Sequence, residues 1–103
     1  MNRIERITEM ERCLNVSREA LDALEKAFSA YEAVQKDYRR LCGYYSSPRW
    51  MEDLEADEAG KLPENLKRGV LSEDAVYDLI KDSHDLAARI LKTISSAMES
   101  NVL

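Results

Sequence analysis

The stretch Glu52–Glu58 places five carboxylates in seven residues: Glu52, Asp53, Glu55, Asp57 and Glu58. Asp53, Glu55 and Asp57, together with Glu64, stand at the first, third, fifth and twelfth offsets of a calcium loop. That loop needs glycine at its sixth position for the sharp turn. Glu58 stands there, and Gly60 arrives two residues late. The cluster therefore reads as a solvated acidic face, paired in part with Arg49, Lys61, Lys67 and Arg68. Arg49-Trp50 and Lys67-Arg68, beside Tyr44 and Tyr45, also have the types of a stacking and phosphate-binding platform. Acids and bases balance over residues 36–71, and no glycine-rich phosphate loop is present. Single-stranded nucleic acid and nucleotides are therefore poorly matched partners. The surface set that remains as a candidate binding site is Arg49, Glu52, Asp53, Glu55, Asp57, Glu58, Lys67 and Arg68.

No catalytic constellation stands out elsewhere. His84 is the sole histidine, and the cysteines are Cys13 and Cys42. A Cys–His pair lacks any supporting local motif. One histidine and two distant cysteines do not supply the four ligands of a zinc site. The expectation is a chain with no catalytic residue, no metal and no cofactor, and hence not an enzyme.

Composition narrows the class further. The chain has 103 residues, 45% hydrophobic and 34% charged, with a net charge of −5. That composition suits one folded, strongly charged domain spanning residues 1–103. Acids exceed bases by two in residues 1–35 and by three in 72–103. A chain with no basic segment is a poor generic binder of phosphate backbones or anionic membranes. No apolar run reaches the roughly 20 residues of a membrane span. The start, MNRIERITEMERC, lacks the apolar stretch of a signal peptide. The expected location is the cytoplasm, with both cysteines reduced.

Two helical patterns must carry these residues. Ile7, Leu14, Leu21, Phe28, Gln35 and Cys42 recur every seven positions, and Met10, Ser17, Leu24, Tyr31, Tyr38 and Tyr45 form a second row. Cys13, Ala20, Ala27, Val34 and Leu41 form a third. Together they make one stripe, aliphatic in its first half and aromatic in its second. The pattern predicts a first helix over about 3–42, with Gly43 as its stop. Ser72 reads as an N-cap, with Leu71 and Val76 as a hydrophobic staple, and predicts a second long helix over about 73–98. The two differ in length by about 20 Å at 1.5 Å per residue.

The connector, residues 43–71, would cover the aromatic end of the first helix with Tyr44, Tyr45, Trp50, Met51, Leu54, Leu62, Leu66 and Val70. Ser47-Pro48 opens a short helix over about 48–59, closed by Gly60. The fold expected is all-α: a long antiparallel helical hairpin with a compact connector that carries a short third helix.

The connector also resembles a known family. Tyr44-Tyr45, Trp50, Glu55-Ala56-Asp57-Glu58-Ala59-Gly60, Leu62-Pro63 and Leu66–Asp74 (LKRGVLSED) are similar to the signature of domain of unknown function 4298. The flanking helices fit it as well. The resemblance implies a small bacterial, cytoplasmic, helical protein. It implies no activity and carries over no catalytic residue.

Two functional readings follow. The first is a non-enzymatic helical module for protein interaction or scaffolding, with a protein partner of unstated identity. The apolar stripe of the first helix also suits a homodimer seam. The alternative is a small acidic inhibitor that mimics phosphate against a basic nucleic-acid enzyme. The connector acids and Asp78, Asp82 and Asp85 would carry that role.

Overall fold

A computed structural model describes residues 2–100. The fold is all-α. Its helices are α1 (Arg3–Ala33), α2 (Gln35–Tyr45), α3 (Pro48–Glu58) and α4 (Ala75–Glu99), with a single 3₁₀ turn at Gly69–Leu71. The chain divides into two compact units, one ending at Tyr38 and the other beginning at Arg39.

The first unit is built on α1. Asn2 caps it: its Oδ1 accepts the Glu5 N–H at 2.8 Å, and its Nδ2 donates to Glu5 Oε1 at 3.2 Å. The first contact satisfies one of the backbone donors that a helix start leaves open, and the second holds the Asn2 and Glu5 side chains together. The apolar stripe from Ile7 to Tyr31 keeps its heptad spacing along α1. Ile7, Met10, Leu14, Leu21, Leu24, Phe28 and Tyr31 are between 48% and 61% exposed.

A helix running unbroken from residue 3 to 42 is not what forms. Val34 leaves helical geometry, with φ −102° and ψ 4°. Its N–H bonds back three residues to the Tyr31 carbonyl at 3.3 Å, and the Gln35 side chain donates to the same carbonyl at 3.4 Å. A carbonyl claimed by a tighter turn and by a side-chain amide no longer serves the regular ladder. Helical bonding resumes at once, with the Tyr38 N–H on the Val34 carbonyl at 2.9 Å.

Gly43 is also not a stop. It lies inside α2, which continues to Tyr45. The end is set instead by Ser46, Ser47 and Pro48. The Ser46 hydroxyl donates to the Cys42 carbonyl at 2.9 Å and the Ser47 hydroxyl to the Tyr44 carbonyl at 2.6 Å. Pro48 then forces Ser47 to extended backbone, φ −93° and ψ 160°.

In the second unit, Pro48 is the first residue of α3, where its missing N–H costs nothing. The other end is a Schellman closure. The Gly60 N–H bonds the Asp57 carbonyl and the Lys61 N–H bonds the Ala56 carbonyl, both at 3.0 Å. Gly60 has φ 72°, a conformation that glycine adopts without a Cβ clash. A turn at residues 63–66 follows, closed by the Leu66 N–H on the Pro63 carbonyl at 3.2 Å.

The Ser72 hydroxyl accepts the Ala75 N–H at 3.2 Å and so caps the approach to α4. Among the described residues the buried hydrophobic side chains are Leu71 and Val76, on either side of that cap. They close the joint between the 3₁₀ turn and α4. Farther along α4, Leu86, Ile90, Leu91 and Met98 are exposed.

Candidate functional site

The candidate residues fall on two segments of the second unit. Arg49, Glu52, Asp53, Glu55, Asp57 and Glu58 ride on α3, while Lys67 and Arg68 lie in the loop before the 3₁₀ turn. On a helix, positions 53, 55 and 57 step around the axis by about 200° each. Asp53 and Asp57 therefore share one face, about 40° apart, while Glu55 points to the opposite side, so the three carboxylates do not converge as a calcium loop requires. Among the described residues, no group of three or more histidine, cysteine or acidic side chains is placed to hold a metal ion.

Arg68 is the hub. Its guanidinium forms an ion pair with Asp57 and donates to the Pro63 carbonyl, while its Nε faces the Leu66 carbonyl at 3.3 Å. One planar fork thus ties the last turn of α3 to two carbonyls of the following loop. Lysine cannot do this, because a point charge lacks the fixed fan of donors. The pair is partly buried, with side chains 32% and 22% exposed for Arg68 and Asp57.

Asp53 is engaged on another side. Its Oδ2 accepts the Tyr44 hydroxyl at 2.5 Å, joining α2 to α3. Asp53's hydrogen bond is the main reason the Tyr44 phenol is pushed up to about 12; partial burial and the aspartate's negative charge add to it. Tyr44 is therefore a locked donor across the neutral range. Trp50 completes the arrangement. Its indole N–H donates to the Val70 carbonyl at 2.9 Å, and its ring meets Tyr45 edge to face with centroids 4.9 Å apart.

These contacts redistribute the expected roles. Of the pairings anticipated between connector acids and bases, Asp57–Arg68 forms. Arg49, Glu52, Glu55, Glu58 and Lys67 are exposed and make no ion pair among the described residues. Tyr44 and the Pro63 carbonyl are structural partners that spacing did not single out. A shallow cleft of about 280 Å³ lies alongside, lined by Tyr44, Asp53, Leu62, Leu66, Lys67 and Arg68. Its walls are mainly aliphatic, and Asp53 and Arg68 already have partners. The geometry suits an apolar contact better than the positioning of a reacting group.

The model of a family described as "Domain of unknown function (DUF4298)" matches residues 7–93. That span includes α2, α3, the Arg68 clasp and most of α1 and α4. No curated protein and no solved structure matches the chain. Among the described residues, no helix is long and apolar enough to cross a membrane.

Proposed function

The chain belongs to the DUF4298 family, and on the character of its helices we propose that it is a non-enzymatic module that presents helical faces to protein partners. The observation that carries this is the α1 stripe, regular in its heptad spacing and half exposed at every large position from Ile7 to Tyr31. Helices draw most of their stability from burying such a face, and a long apolar face rimmed by charge marks an interaction surface. The clasp around Arg68 is structural in this reading and not a reaction centre. The acidic-inhibitor reading has less support. Asp53, Asp57 and Asp85 are engaged by Tyr44, Arg68 and Lys81, leaving fewer free carboxylates to imitate phosphate.

A photo-crosslinking side chain at position 14, in the full chain inside cells, tests the proposal. Discrete protein adducts through that position are expected. Irradiation that yields no protein adduct would sink it.

A further inference from the structure

From the backbone at the end of α1 we infer that Tyr31–Gln35 is a two-state joint. In one state α1 and α2 are two helices broken at Val34, and in the other they are one helix continuous from Arg3 to Tyr45. Gln35 decides between the states, through which of its two donors the Tyr31 carbonyl accepts. This goes beyond the interaction reading above and does not depend on it. The joint lies wholly within the unit that ends at Tyr38.

The broken state is the one the structure holds. The Tyr31 carbonyl accepts the Val34 N–H at 3.3 Å and the Gln35 side-chain amide at 3.4 Å. In a continuous α-helix the same carbonyl takes the backbone N–H four residues on, which is that of Gln35 itself. A carbonyl oxygen offers two lone pairs, and both are engaged. The side chain of Gln35 therefore occupies the acceptor that its own backbone would need. The two states exclude each other at one oxygen. A tighter three-residue turn inside an otherwise long helix is a recurrent mark of a hinge.

Nothing in the sequence forces the break. No glycine precedes Gly43 and no proline precedes Pro48, so the residues that ordinarily kink a helix are absent from the joint. The apolar rows also run straight through it: Phe28, Gln35 and Cys42; Tyr31, Tyr38 and Tyr45; Val34 and Leu41. That spacing is the pattern of a single helix. Gln35 is the one amide in these rows, and the break falls beside it. Helical bonding resumes with the Tyr38 N–H on the Val34 carbonyl at 2.9 Å, so closing the break alters few backbone dihedrals. The exchange trades one side-chain hydrogen bond for one backbone hydrogen bond, which keeps the two states close in free energy.

The test uses the full chain with Cys13→Ser and Cys42→Ser as background. Asp22→Cys and Arg40→Cys, both at exposed positions, carry spin labels. An unbroken helix puts these two positions on one face and about 27 Å apart at 1.5 Å per residue. Pulsed dipolar spectroscopy of this labelled parent should show two populations, one at that separation and one shorter. Gln35→Leu removes the competing amide and completes the apolar row, so it should leave the longer population alone. Val34→Gly favours departure from helical geometry and should enrich the shorter one. A readout without labels is amide hydrogen exchange in the unmodified chain. Exchange at residue 35 should slow about tenfold in Gln35→Leu, because the backbone N–H gains the Tyr31 carbonyl. A single population in the parent overturns the joint, as do distance distributions that coincide in the parent and both variants. Exchange at residue 35 that Gln35→Leu leaves unchanged overturns it too.

Discussion

Replacing Arg68 with alanine removes the one guanidinium that joins the Asp57 carboxylate to the carbonyls of Pro63 and Leu66. Because the pair is partly buried and three acceptors lose their donor, the loss should be about 1–3 kcal/mol in urea unfolding. Lys67→Ala, next door but exposed, should stay within about 0.5 kcal/mol. Arg68→Lys should behave like the alanine variant and not like the parent. Tyr44 gives a pH-dependent counterpart. Its phenol holds its proton up to about 12, above the ordinary tyrosine value of about 10. A group whose folded pKa is raised contributes stability that is complete below the unfolded value and lost as pH climbs through the folded one. The Tyr44–Asp53 contribution should therefore be intact below about pH 10 and vanish between about 10 and 12. An ultraviolet titration should show one of the five tyrosines ionising late. Tyr44→Phe should abolish that late phase and cost about 1 kcal/mol at neutral pH. A Tyr44→Phe titration identical to the parent's would rule out the assignment. The acid–base pairing around Arg68 was expected in kind but not which acid it would take, and the Tyr44–Asp53 bond was not legible, since the two stand nine positions apart with a proline between.

At the scale of elements, two glycines that look alike in sequence have opposite duties. Gly43 sits inside α2 with open space where a Cβ would go. Gly43→Ala should therefore stabilise the chain by about 0.5–1 kcal/mol, through helix propensity and a stiffer unfolded state. Gly60 has equal space but a left-handed φ of 72°. Gly60→Ala should destabilise by about 1 kcal/mol, because the strain is in the backbone and not in a neighbour. Thermal melts of the pair should move in opposite directions, and two shifts of the same sign would contradict these assignments. The start of α3 at Pro48 was readable from local chemistry alone; Ser72 does accept the Ala75 N–H, but α4 begins at Ala75 behind Asp74, two residues later than a helix capped by Ser72 would. The turn at Val34 was not, because valine carries no turn signal and the break depends on how the Tyr31 carbonyl is shared.

At the scale of the whole molecule, a chain whose buried hydrophobic residues among those described are Leu71 and Val76 has little core for its length. The amino-acid sequence by itself determined the all-α class, the helical stripes, the Ser47-Pro48 start and the Gly60 stop. Each of these follows from periodicity or from chemistry between near neighbours along the chain. Only the tertiary structure decided that Arg68 clasps α3 to the loop, that Trp50 is anchored on Val70, and that Tyr44 is locked by Asp53. Those choices depend on which side chains the turns bring together, and spacing along the chain carries no record of that.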